Sequence, residues 1–111
     1  MLLYRVTKSN PPTAEDMKSH WDLGKRPPRH GSEAAYQRSV ESYQEVSTFE
    51  TASAAAAKAR TRGLGQYVAE LEVPESAIAS RTAASSHVGL TGLTPEQLLD
   101  SVLSVHSVDD A

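Results

Sequence analysis

The sequence predicts a small α+β domain: a twisted, mostly antiparallel sheet of five or six strands with three or four short helices. Three observations carry that prediction. Gln66 to Val73 alternates apolar and polar residues with period two, the mark of a strand with one covered face. Ala52 to Arg62 is an alanine-rich run bounded by Thr51 and Gly63, residue types that start and stop helices. Thr94-Pro95-Glu96-Gln97 is a capping box with proline at the first helical position, so a third kind of signal fixes a short helix late in the chain.

The elements follow in order. Leu2 to Val6 reads as a short buried strand whose only charge is Arg5, punctuated by Ser9-Asn10-Pro11-Pro12. Thr13 has the chemistry of an N-cap, with Glu15 and Asp16 in the first turn, and Met17 and Trp21 are four apart. A helix from about Ala14 to Asp22 is therefore expected to bury both. Gly24 ends it. Ser32 then caps a helix of about two turns that packs Tyr36 and Val40.

From Tyr43 the pattern has period two, with Tyr43, Glu45, Ser47 and Phe49 on one side and Gln44, Val46, Thr48 and Glu50 on the other. Neither side is wholly apolar, so this segment is an irregular strand or one whose polar residues line a cleft. In the helix that follows, Lys58, Arg60 and Arg62 put positive charge toward the negative C-terminal end of the dipole, and small alanines allow close approach to a sheet. Tyr67, Ala69, Leu71 and Val73 form the apolar face of the next strand, which Pro74 ends. Ile78 to Thr82 reads as an edge strand, Ser85 to Gly92 as a glycine-punctuated loop or bulged strand, and Val102 to Val108 as the last strand.

A chain of 111 residues fits one domain, residues 1–111, and buries about 65% of the surface of its extended form. Six aromatic residues make a thin core, and a homodimer would cover more of its apolar surface. Eleven basic against fourteen acidic residues argue against a nucleic-acid partner. The local exception, Lys25-Arg26-Pro27-Pro28-Arg29-His30, is a solvated loop or a place for a phosphate. The absence of cysteine excludes disulfides and thiolate zinc sites. No apolar run is long enough for a membrane span or a signal peptide, so the expectation is a soluble, cytoplasmic protein without a membrane partner. The histidines have no metal-ligand spacing, no phosphate-loop signature is present, and the adjacent pair Ser86-His87 has poor geometry for a hydrolase.

The order Leu-Tyr-Arg-Val, Val-Ser-Thr, an alanine-rich helix, and a glycine-preceded strand closing in Val-Pro-Glu resembles the ADP-ribosyltransferase-like superfamily over about two thirds of the chain. The resemblance implies a minimal bacterial member whose cleft binds NAD or an ADP-ribose-containing ligand. It assigns Arg5, Tyr4, Ser47 and Thr48 to the cofactor, with ADP-ribosyl transfer or NAD glycohydrolysis as the reaction. A buried guanidinium needs its donors satisfied, and pyrophosphate oxygens would satisfy them; so would Glu45, Glu70 or Glu72. The pattern departs from the family in one respect. No acid lies between Thr82 and Thr94, where such enzymes carry a glutamate, and His87 is the one titratable group there. By resemblance the catalytic role falls on His87, which otherwise reads as an exposed loop residue. The alternative is a non-catalytic interaction or immunity-type module that binds a protein partner and keeps the fold without the reaction.

Overall fold

The computed structural model describes residues 1–110. Six strands, β1 (Leu2–Thr7), β2 (Val46–Phe49), β3 (Tyr67–Glu72), β4 (Ile78–Thr82), β5 (His87–Leu90) and β6 (Val102–Ser107), form one sheet in the order β4-β5-β2-β1-β3-β6. Every pairing is antiparallel. Three α-helices accompany it: α1 (Glu33–Gln44), α2 (Ala52–Arg62) and α3 (Pro95–Asp100). Among the described residues no helix is long and apolar enough to cross a membrane.

The helix caps form as their residue types require. Thr51 Oγ1 accepts from Ala54 N–H, and Gly63 takes the left-handed conformation that closes α2. Thr94 and Gln97 satisfy each other's backbone N–H groups at the start of α3. Gly65 leads into β3, where a β-carbon would collide with the Thr7 backbone, so only glycine allows the two segments so close.

The sheet is packed on both faces. On one, Leu3, Ala69, Leu71, Val88 and Leu90 meet Leu98 of α3 and Met17. On the other, Phe49 and Val68 meet Ala55, Ala56 and Ala59 of α2, whose small side chains let the helix lie close to the strands. Covering both faces explains why Val68, on the side opposite the expected apolar face, is buried along with Ala69 and Leu71; Tyr67, at the start of the strand, is only half-buried. Glu72 is exposed and Glu70 half-buried.

Two segments differ from the sequence expectation, and a third decides between two readings. The first helix is reduced to a single 3-10 turn, Ala14–Met17. Arg5 takes the carbonyls of Asp16 and Lys18, acceptors that a continuing helix needs, while Ser19 and Asp22 bond each other across the next turn. Met17 is fully buried nonetheless. The second helix runs on to Gln44, so Tyr43 is helical and the strand begins at Val46. Of the two readings of Ser85 to Gly92, loop or bulged strand, the strand forms over His87–Leu90: after a 3-10 turn, Ala83–Ser85, and a left-handed Ser86 (φ 56°), β5 runs between β2 and β4. His87 therefore sits on an interior strand.

The helix α1 has no fully buried residue. Trp21 N–H donates to Tyr43 O (3.0 Å), and the His20 ring lies 5.3 Å from that of Tyr43. The basic stretch before α1 is ordered by stacking: Arg26 lies 3.6 Å over Trp21, and Arg29 lies 3.9 Å over Tyr36 while pairing with Glu33.

Candidate functional site

Strand register decides which of the expected residues meet. Tyr4 lies opposite Phe49, and Phe49 opposite His87, so all three project from the α2 side of the sheet. Ser47, two residues from Phe49, projects to the same side. Arg5 and Thr48 point the other way.

His87 Nε2 and Ser47 Oγ are 3.1 Å apart, a hydrogen bond between neighbouring strands. The His87 ring meets Phe49 edge-on, with centroids 5.6 Å apart and planes at 82°, which fixes its orientation. Ser47 is exposed and His87 half-buried, so the pair can be reached from solvent. Burial holds the His87 pKa below its ordinary value; the carboxylate of Glu45 opposes that shift and Lys58 adds to it. The shift favours the neutral form of an imidazole beside a serine hydroxyl.

Gly89, opposite Ser47 in the register, forms the floor of this surface. A β-carbon there would stand 2.7 Å from both Glu45 Oε1 and Ser80 Oγ, so the missing side chain is what admits the two polar groups. Glu45, Ser47, Ser80 and His87 thus gather above one glycine, with Lys58 of α2 near enough to influence the histidine. Sequence reasoning missed Glu45, Ser80 and Lys58 as members of the site. The alternation of Glu45 with Ser47 was the available signal, but their neighbours lie on strands distant in sequence.

Arg5 is committed to the fold. Its Nε donates to Asp16 O (2.8 Å), Nη1 to Ser47 O (2.6 Å) and Nη2 to Lys18 O (3.1 Å). None of Glu45, Glu70 or Glu72 pairs with it. Burial lowers its pKa to about 10, against the raising influence of Asp16. Thr48 is 0% exposed, and its hydroxyl donates to Val88 O at 2.8 Å, so it braces β2 against β5 and lines no accessible surface. Tyr4 donates its hydroxyl to Glu70 Oε2 (3.0 Å), and that bond, followed by burial and the charge of Glu70, raises its pKa.

A cavity of about 350 Å³ lies between Gly65–Tyr67 and Ser107–Asp109, and another of about 210 Å³ is lined by Tyr4, Ala52, Val68, Glu70, His106 and Asp110. Of the five expected residues only Tyr4 borders either one. Ser47 and His87 instead form an open polar surface. Among the described residues no group of three or more His, Asp or Glu side chains could hold a metal ion.

No family model, curated protein or solved structure matches the chain.

Proposed function

We propose that the chain binds an ADP-ribose-containing ligand such as NAD on the β2–β5 surface, with Ser47 and His87 as direct contacts. The observation that carries this reading is the accessible 3.1 Å bond between Ser47 Oγ and His87 Nε2. A hydroxyl and an imidazole held this way can exchange their mutual bond for bonds to ribose hydroxyls. The stretches that carry the family resemblance form β1, β2, α2 and β3 in the corresponding order, which also supports it.

Glu45 supplies the carboxylate that the β5 segment lacks, since its side chain reaches over Gly89 toward His87. In glycohydrolysis or transfer the bond between the nicotinamide nitrogen and the ribose carbon breaks, nicotinamide leaves with the bonding electrons, and the ribose carbon becomes positive. Glu45 would offset that charge. His87 would accept the proton of the attacking water or acceptor hydroxyl. Arg5 would act from beneath the strand, holding the Ser47 carbonyl and through it the β2 backbone. The test is nicotinamide release from NAD, compared between the parent protein and Glu45→Gln and Ser47→Ala. Turnover that both variants lose supports the catalytic form of this reading.

A second reading, a non-catalytic interaction module, is favoured by the bonding of Arg5 and Thr48. The two groups that the resemblance assigns to the dinucleotide have their hydrogen bonds within the fold. Ligand binding without nicotinamide release, or no binding of either nucleotide, favours this reading.

A further inference from the structure

The outer edge of β6 and the cavity beside it form a second surface, separate from Ser47 and His87. Among the described residues β6 pairs only with β3, so its other edge presents unpaired backbone N–H and C=O groups. Edge strands are commonly guarded by Lys, Arg or Pro, and β4 at the opposite edge carries Arg81, which pairs with Glu50 at 3.6 Å. β6, Val-Leu-Ser-Val-His-Ser, carries no Lys, Arg or Pro; its register with β3 is interrupted by a bulge at Leu103, which is 60% exposed, and regular pairing is available from Ser104 onward.

Most of the charge around this edge is acidic; Arg60, which donates to Val108 O at 2.9 Å, is the exception, and His106 of β6 lines the cavity. Asp100 precedes β6 and Asp109 and Asp110 follow it. Glu70, opposite Ser104 in the register, lines the 210 Å³ cavity with Tyr4 and Asp110. Glu70 accepts a hydrogen bond from Tyr4, and none of these four carboxylates takes part in an ion pair among the described residues. A cavity of 210 Å³ is smaller than the ~300–1,000 Å³ typical of sites for drug-sized ligands and suits one long side chain.

We propose that β6 takes up an extended, basic segment of a partner protein as a seventh strand, one Lys or Arg side chain entering the cavity between Tyr4, Glu70 and Asp110. Main-chain bonds to the strand edge supply affinity, and the cavity, on the side of the sheet where alternate residues of an added strand project, supplies the preference for a cation. A second copy of this chain is a poorer occupant. Antiparallel self-pairing about the middle of β6 would bring Asp100 of one copy near Asp109 of the other, like charges at both ends.

The test is fluorescence anisotropy with a labelled octapeptide of alternating arginine and valine between threonine ends, against the same peptide with glutamate replacing arginine. The arginine peptide should bind about tenfold or more tightly than the glutamate peptide, with affinity falling as salt rises. Glu70→Gln and Leu103→Lys, each checked for an unchanged melting temperature, should weaken it severalfold; Asp110→Asn substitutes for Glu70→Gln if that variant fails to fold. Equal binding of the two peptides, or undiminished affinity in the folded variants, overturns the proposal. So does a concentration-dependent dimer in sedimentation equilibrium that Leu103→Lys abolishes and that the peptide cannot displace.

Discussion

Arg5 Nη1 donates a 2.6 Å hydrogen bond to the carbonyl of Ser47, so a side chain on one face of the sheet holds the backbone of a residue whose own side chain serves the other. The same guanidinium reaches Asp16 O and Lys18 O, which ties the 3-10 turn and the segment after it to β1.

Replacing Arg5 with lysine keeps the charge but loses the fork, because a single ammonium cannot meet carbonyls in three directions. Leaving such groups unpaired costs about 1–3 kcal/mol each when water cannot replace the donor. Arg5→Lys should therefore lower stability by at least about 1 kcal/mol in urea unfolding. A variant as stable as the parent would refute the structural role.

Leu71 is 0% exposed at the centre of β3, and Leu71→Ala removes apolar contact on the α3 side of the sheet. The expected cost is about 2–5 kcal/mol, from lost burial and the cavity left behind. Domains of this size are stable by only about 5–15 kcal/mol in total, so a large fall in the urea midpoint is expected. An unchanged urea midpoint would contradict the packing described here.

Gly89→Ala tests the floor of the site. The new methyl group meets Glu45 and Ser80 side chains at 2.7 Å, and both are ends that can rotate away. The variant should fold, while displacement of the Glu45 carboxylate removes the influence that raises the His87 pKa. NMR titration of the imidazole should then give a lower pKa than in the parent. A higher or identical value would mean that Glu45 does not act on His87.

His87 and His20 both have folded-state pKa values below the ordinary one, chiefly through burial. The unfolded chain, with histidines near about 6.5, then binds more protons than the folded chain between the two values. Stability rises with pH through that window and is lost as pH falls below about 6.5 toward the folded pKa. Replacing His87 with glutamine should flatten that part of the profile in urea unfolding between about pH 5 and pH 7.5. Parallel profiles for parent and variant would show that His87 makes no such contribution.

Much of the fold was legible because its signals are local. The caps at Thr51 and Thr94, the stop at Gly63 and the alternation from Gln66 to Val73 each act within a few residues, and each corresponds to an element boundary or strand. The failures are non-local. The turn at Ala14–Met17 stops short because of Arg5, about ten residues away in sequence, and β5 could not be told from a loop because its strand character depends on pairing with β2 and β4. For the same reason the bond between Ser47 and His87, 40 residues apart, could be guessed only through resemblance, and the approach of Glu45 to Gly89 not at all.

The most direct measurement of the proposed binding role is the melting temperature with and without ADP-ribose, for the parent and for Ser47→Ala and His87→Ala. A ligand that binds only the folded state at about one hundred times its dissociation constant stabilises it by about 2.7 kcal/mol, a rise of about ten degrees or more in a domain of this size. The account predicts that rise for the parent, and a much smaller one for both variants at the same ligand concentration. No rise in the parent, or an equal rise in all three proteins, would contradict binding at Ser47 and His87.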